Sequence, residues 1–283
     1  MESICDQSRK PDLMDILTTK AESPNILFKI AYDGSGFHGW QKQPGLRTVQ
    51  GVLEERLEKV YGVPVSLEGT SRTDAGVHAF GQCATMRGVS GIPTDRIKTA
   101  VNNLVSDVMI LSAEEKDEGF HARFSAVGKT YIYRFVVAPS APVFLRNYTW
   151  LLKYEPNISI MSEIAKYLEG THDFACFQAA GGVHRESTTR TIFRAEVKEA
   201  KGKDPAGNTY DAIEFVVTGD GFLYNMVRII AGTLLEAGFS RPAPKDIQSI
   251  IQSKDRRRAG PTAPPQGLFL QEVFFEKTAM EAL

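Results

Sequence analysis

KTYIYRFVVA, residues 129–138, places four apolar side chains at alternate positions: Tyr131, Tyr133, Phe135 and Val137. Because successive side chains of a β-strand point to opposite faces, this spacing predicts a strand with one aromatic face. The elements on either side of this strand decide what kind of sheet it joins.

Downstream, the hydrophobic periodicity predicts a helix over 158–170, strands over 189–200 and 210–220, an apolar helix over 221–238 and a strand over 268–276. Upstream, it predicts strands over 26–33, 63–73, 76–88 and 107–116, with helices over 48–62 and 93–105. In the first of those helices, Thr48 is the expected N-cap and Gly62 the expected stop.

A strand–helix–strand–strand unit thus occurs twice. This predicts an α+β fold in which two similar halves share one extended antiparallel sheet with helices on one face. We expect a loosely ordered tail over 1–24, an N-terminal half over 25–125 and a C-terminal half over 126–278.

The 283 residues include 33 Lys and Arg against 34 Asp and Glu, a net charge of -1. This balance excludes a uniformly basic nucleic-acid binder, but the charges are segregated along the chain. Residues 119–154 contain five basic residues and no acid, whereas 113–118 contain four acids. A local phosphate-binding groove is therefore compatible with the total. Candidate phosphate contacts are Arg123, Lys129, Arg134 and Arg146, and a second basic cluster comprises Lys254, Arg256, Arg257 and Arg258.

The three cysteines, Cys5, Cys83 and Cys176, are scattered and form no C-x-x-C pair. They favour free thiols in a reducing compartment. The first 24 residues have no apolar core of the kind that a signal peptide needs, and no stretch approaches 18 apolar residues. We expect a cytoplasmic protein that does not bind a membrane.

The segment 34–39 matches G-x-G-x-x-G and follows a predicted strand, so it could be a dinucleotide loop. Such a loop opens directly into a helix, whereas here Pro44 and Gly45 intervene and the helix begins only near Thr48. The sequence therefore predicts no nucleotide cofactor. It also has no Cys and His set at zinc spacing, and its five histidines lie far apart.

GTSRTDAGVHAF, residues 69–80, places Asp74 in a loop between two predicted strands. Arg72 should favour the ionised carboxylate, and Gly76 allows a tight turn that projects the side chain. The residues alone leave two interpretations open, a catalytic carboxylate or an aspartate that accepts backbone N–H groups in a turn.

Five motifs in order resemble the TruA family of tRNA pseudouridine synthases: AYDGSGFHGWQ (31–41), SRTDAGVHAFGQ (71–82), FHARFSAVGKTYIYR (120–134), GFLYNMVRIIAG (221–232) and APPQGLFL (263–270). The resemblance extends from Ile26 to Glu276 and leaves the first 24 residues outside. Ser71 stands where the family often has glycine, which affects the flexibility of the loop more than its chemistry.

The resemblance implies the pseudouridine synthase fold, with Asp74 as the catalytic aspartate and Arg228 as its partner. It also implies that Tyr131 stacks on the target uracil and that Arg72 helps to extrude the base. The implied reaction isomerises uridine to pseudouridine at positions 38, 39 and 40 of the tRNA anticodon stem-loop. The resemblance also implies a homodimer. Because the implied reaction involves no redox change, phosphate transfer or net hydrolysis, we expect no cofactor or metal.

The sequence around Arg228 independently favours its pairing with a carboxylate. The segment around Arg228 is too apolar for a solvated face, and a buried arginine requires an anionic partner. Two alternatives remain. A non-catalytic RNA-binding protein on the same fold would have no use for an Asp74–Arg228 pair. A carboxylate-dependent hydrolase would need a second acid beside Asp74, and none is adjacent in sequence.

Overall fold

The computed structural model describes residues 24–89, 91–103, 107–138, 143–181, 187–240 and 246–281. The predicted N-terminal tail lies outside these residues except for Pro24. The strands are β1 (Asn25–Tyr32), β2 (Leu67–Gly69), β3 (His78–Met86), β4 (Val108–Lys116), β5 (Gly128–Val137), β6 (Trp150–Leu152), β7 (Gly170–Asp173), β8 (Thr189–Lys203), β9 (Thr209–Gly219) and β10 (Leu268–Phe274).

All ten strands form one sheet, whose main path has the order β4-β1-β3-β10-β5-β9-β8-β7. The short strands β2 and β6 pair with β3 and β5. Two of the pairings are parallel, β3 with β10 and β5 with β6, and the others are antiparallel. The last strand of the chain thus joins the strands of the first half to those of the second. The predicted α+β fold with one large, mostly antiparallel sheet is confirmed, whereas the boundary between residues 125 and 126 stays a prediction.

The α-helices are α1 (Val49–Tyr61), α2 (Thr94–Asn102), α3 (Ile158–Lys166), α4 (Met226–Phe239), α5 (Ile247–Ser253) and α6 (Lys277–Glu281). Helix α1 has the predicted ends, since the Thr48 side chain accepts a hydrogen bond from the Gly51 N–H and Gly62 adopts φ 73°. In the described part of the chain, no helix is long and apolar enough to cross a membrane.

Several predicted elements differ in extent from the observed ones. The helix predicted over 158–170 ends at Lys166, and Gly170 begins β7. Two others were shortened as well. The strand predicted over 63–73 is limited to β2, because the residues after Gly69 form a loop whose backbone bonds to neighbouring segments. The helix predicted over 221–238 begins only at Met226, because Asn225 has a left-handed φ of 59° that helical geometry cannot continue. Both shortened segments face the same cleft.

The two faces of β5 carry different residues. Tyr131, Tyr133 and Phe135 are buried on one face, as the alternation predicts. Arg134 lies directly opposite Glu214 of β9 on the other face. A continuous hydrophobic core includes the aromatic face of β5 and contacts elements from both halves of the chain.

Candidate active site

A cleft of about 850 Å³ opens on the aromatic side of β5. We call it the active-site cleft. Its lining includes all four predicted site residues: Arg72, Asp74, Tyr131 and Arg228. They come from a loop, a central strand and a helix that are far apart in sequence, so the fold assembles the cleft.

The loop over residues 70–77 is held in place along its length. The Thr73 carbonyl accepts the Trp40 N–H at 3.0 Å, and the Thr73 hydroxyl lies 2.7 Å from the Tyr32 hydroxyl. The buried Gln82 side chain accepts the Ser71 N–H at 3.3 Å and donates to the Ser71 carbonyl at 2.7 Å. After Asp74, the Gly76 N–H donates to the Phe37 carbonyl at 3.3 Å, so the loop that presents Asp74 is fixed on both sides.

The G-x-G-x-x-G segment supports this loop. Gly39 has φ 87°, and a Cβ there would lie 2.7 Å from the Thr73 carbonyl oxygen. A Cβ at Gly34 would overlap the Val77 carbonyl oxygen. The structure places a short 3-10 turn over Gly34–Gly36 and no α-helix between Gly36 and Val49, as expected for a segment that is not a dinucleotide loop. The glycines allow two backbone segments to approach closely.

Arg228 reaches Asp74 from the first turn of α4. Its Nη1 donates to Asp74 Oδ2 at 3.1 Å and to Asn225 Oδ1 at 2.6 Å, and its Nε donates to the Ala263 carbonyl at 2.7 Å. Only 15% of the Arg228 side chain and 27% of the Asp74 side chain are exposed. The guanidinium is thus fixed by three acceptors and aimed at the carboxylate.

Asn225 is a residue of the cleft lining that neither the motifs nor the hydrophobic pattern singles out. It lies in the left-handed region, where asparagine is among the few residues tolerated, and its side chain points to Arg228 rather than capping α4. A polar residue three positions before an arginine at the start of an apolar helix is the signal that could have indicated it.

Burial raises the pKa of Asp74 above its ordinary value, and the charge and hydrogen bond of Arg228 offset this only in part. The sequence led us to expect that a nearby arginine favours the ionised form. Arg228 does act in that direction, but partial burial of the carboxylate has the larger effect. Arg72, the arginine that we had expected to act, is exposed at the cleft.

Tyr131 is 9% exposed and lines the cleft. The rings of Tyr131 and Phe222 pack edge to face, with an angle of 85° between their planes and 5.2 Å between their centroids. Burial raises the pKa of Tyr131 to about 12, and the neighbouring Asp74 charge acts in the same direction. The phenol therefore stays neutral and offers an apolar ring to the cleft.

The cleft lining has an excess of positive charge. Five lysines and arginines line it, against three acids: Arg72, Arg123, Lys129, Arg190 and Arg228, with Glu68, Asp74 and Asp220. Of the four candidate phosphate contacts, the structure therefore places Arg123 and Lys129 at the cleft.

The other candidates lie elsewhere. Arg134 is on the opposite face of β5, paired with Glu214 at 2.7 Å, and Arg146 is exposed away from the cleft lining. The basic cluster at 254–258 is also outside the lining. Its Lys254 pairs with Asp173, and its Arg257 pairs with Asp255, each at 2.7 Å. None of these residues therefore lies in the cleft lining.

Comparison with known proteins identifies the family of this chain. A family model described as tRNA pseudouridine synthase matches residues 29–125 and 164–276, more than half of the chain. The chain belongs to this family, and the protein is an enzyme of the isomerase class.

Two curated relatives have names that agree with this family. The chain is 44% identical over 254 residues to tRNA pseudouridine synthase A 2 of Clostridium tetani (strain Massachusetts / E88), covering 89% of this chain and 98% of the relative. It is 45% identical over 249 residues to tRNA pseudouridine synthase A of Geobacillus kaustophilus (strain HTA426), covering 87% and 93% of the two chains.

Proposed function

We propose that the protein isomerises uridine to pseudouridine in the anticodon stem-loop of tRNA, at positions 38, 39 and 40. The observation that carries this proposal is the Asp74–Arg228 pair in an open, positively lined cleft beside the Tyr131 ring. Family membership and the names of the relatives support the reaction and its RNA substrate. The resemblance of the motifs supports the three positions.

The reaction breaks the bond between N1 of uracil and C1′ of ribose, and it forms a bond between C5 and C1′. The proton on C5 is lost and N1 gains one, so atoms and charge balance without an external reactant. An ionised Asp74 supplies what this needs, either as a nucleophile toward the sugar or base or as a base toward a ribose proton. Arg228 holds the carboxylate in position and favours its ionised form.

The uridine must leave the helical stack before Asp74 can reach it, at a cost of a few kcal/mol. We assign Arg72, exposed at the cleft two residues before Asp74, to the extrusion of the base. Stacking of the uracil on Tyr131 offsets part of this cost.

We further propose that the protein works in the cytoplasm as a homodimer. Cys83 and Cys176 are buried free thiols, which fits a reducing compartment. The dimer follows from the motif resemblance, and a sedimentation measurement of the full chain tests it. A monomer that is fully active on tRNA would contradict it.

The reaction is tested by incubating the protein with an unmodified tRNA transcript, without added metal or nucleotide, and mapping pseudouridine at each position. We expect conversion by the wild-type protein and none by the Asp74→Ala variant, which should still bind the tRNA. If neither protein converts uridine and both bind equally, the non-catalytic RNA-binding alternative is correct.

A further inference from the structure

Phe124 is a large apolar side chain that the proposed chemistry does not use. It is 75% exposed and lines the active-site cleft. Scattered exposed hydrophobic residues are ordinary on a protein surface. Phe124 differs because it projects from a turn with a fixed position relative to Asp74.

The turn over residues 121–125 is closed by two hydrogen bonds between its ends. The Ser125 N–H donates to the His121 carbonyl at 2.9 Å, and the His121 N–H donates to the Ser125 hydroxyl at 3.0 Å. The Thr70 hydroxyl, four residues before Asp74, donates to the Ala122 carbonyl at 3.0 Å. This hydrogen bond therefore joins the turn directly to the loop over residues 70–77 that carries Asp74.

A histidine ring and an arginine guanidinium flank Phe124. The His121 ring lies 4.4 Å from it between centroids, tilted by 46°, and the Arg123 guanidinium carbon lies 5.4 Å from its centroid. His121 is itself fixed, since its Nδ1 accepts the Arg123 N–H at 3.0 Å and its Nε2 lies 2.9 Å from Glu68 Oε2. The result is an exposed aromatic face beside an arginine. Proteins that bind single-stranded nucleic acids use this combination to stack bases.

We propose that Phe124 is a stacking platform for an RNA base that neighbours the flipped uridine, with Arg123 contacting the adjacent phosphate. This inference rests on the proposed function, because it takes the substrate to be RNA whose target base enters the cleft. The extruded uridine leaves its neighbour without a stacking partner on one side. Phe124 replaces that partner, and the hydrogen bond from Thr70 to the Ala122 carbonyl fixes the position of Phe124 relative to Asp74.

Tyr154 is a matched control outside the cleft lining. It is 66% exposed, and the Lys153 ammonium lies 5.4 Å from its ring centroid, the same distance as in the Arg123–Phe124 pair. Replacement of either ring with alanine removes a comparable exposed aromatic and cation pair. Only the change at Phe124 should affect RNA.

The test measures binding of RNA hairpins to proteins that all carry Asp74→Asn, so that the RNA is not converted. Phe124→Ala should weaken binding on the order of 5- to 100-fold, whereas Phe124→Tyr and Tyr154→Ala should leave it within about twofold. Because stacking releases no counterions, the dependence of binding on salt should not change in Phe124→Ala. It should become shallower in Arg123→Gln, by the loss of about one phosphate contact.

Hairpins with 2-aminopurine at each position flanking the target uridine show which base is stacked. At one position the fluorescence should be quenched on binding, and this quenching should be lost in Phe124→Ala but kept in Phe124→Tyr. Unchanged affinity in Phe124→Ala, or weaker binding with no change in fluorescence at any position, would overturn the platform. Conversion of unmodified RNA by the wild-type protein is measured separately. Its absence contradicts the proposed function, while the binding comparison still decides the role of Phe124.

Discussion

Two arginine–carboxylate pairs lie on opposite sides of the sheet, and they differ in what surrounds them. Arg228 and Asp74 are 3.1 Å apart with side-chain exposures of 15% and 27%, while Arg134 and Glu214 are 2.7 Å apart with exposures of 28% and 13%. The second pair is the closer one, and the two pairs are buried to a similar extent. Geometry of the pair therefore does not identify the active site.

The surroundings distinguish them. The Arg134 guanidinium lies over the rings of Phe269 and Phe80, 4.9 and 5.8 Å from their centroids, and its pairing partner is a side chain directly opposite on the next strand. This arrangement stabilises the sheet. Asp74, in contrast, faces a cleft large enough for a nucleoside and has a raised pKa because of burial. A reactive carboxylate needs such an open and electrostatically unfavourable position.

The largest expected effect comes from removing the two carboxylates in turn. Asp74→Asn should reduce the rate of pseudouridine formation on the order of a thousandfold or more, because the reacting group is lost. Glu214→Gln should leave the rate within about twofold. Single-turnover kinetics on a tRNA transcript measure both rates. Equal losses of rate in the two variants would contradict the assignment of the reaction to Asp74 and its cleft.

Replacement of each arginine by lysine sharpens the comparison. Arg228→Lys should reduce the rate about a hundredfold, since an ammonium cannot contact Asp74, Asn225 and Ala263 in the fixed geometry of the guanidinium. Arg134→Lys should keep nearly normal turnover and lose only some thermal stability. Near-normal turnover in Arg228→Lys would remove Arg228 from the site.

A smaller effect is expected at Asn225. Asn225→Gly removes the side-chain acceptor at 2.6 Å from Arg228, while glycine accepts the backbone φ of 59° without strain. We expect a loss of about tenfold in rate, as for one hydrogen bond to a charged group. Asn225→Ala should be less stable than Asn225→Gly in thermal unfolding. A rate equal to that of the wild type in Asn225→Gly would show that Arg228 is positioned without Asn225.

The smallest expected effect is on stability as a function of pH. The folded state holds the Asp74 proton more tightly than the unfolded state, so the stabilising contribution of Asp74 is present below its ordinary pKa and is lost as pH rises through the raised value. Compared with the wild type, Asp74→Asn should therefore gain stability from acidic to neutral pH. Melting temperatures at both ends of this range measure the difference. A constant difference would contradict the raised pKa.

The same pKa has a consequence for the rate. If the ionised carboxylate reacts, the single-turnover rate must fall as pH is lowered through the raised pKa, before ordinary surface aspartates are protonated. A rate that stays constant until the ordinary range of aspartate would show that the folded protein does not hold the Asp74 proton.

The alternation in β5 shows which side-chain positions can be predicted from the sequence alone. It correctly predicted that Tyr131 and Tyr133 share a buried face, and by the same rule it assigns Arg134 to the other face. Among the candidate phosphate contacts, the rule could have separated Arg134 from the cleft before the structure. Local periodicity is therefore sufficient to assign side chains to the faces of a strand.

Other features needed the fold. The parallel pairing of β10 with β3 joins segments about 190 residues apart, and no local pattern indicates it. The role of Gly34 and Gly39 depends on the loop that packs against them, and the net direction of the Asp74 pKa shift depends on burial. The motifs thus indicated four candidate residues that the fold brings to one cleft but not Asn225, whereas packing decides the electrostatics of the cleft.

The most direct test of the account is an experimental structure of the Asp74→Asn variant bound to a tRNA anticodon stem-loop. We predict that the target uridine is flipped into the cleft with its base on the Tyr131 ring, and that the side chain at position 74 lies about 3.5 Å from the sugar or base. A uridine still stacked in the RNA helix, or RNA bound on the Arg134 face of the sheet, would contradict the assignment of this cleft.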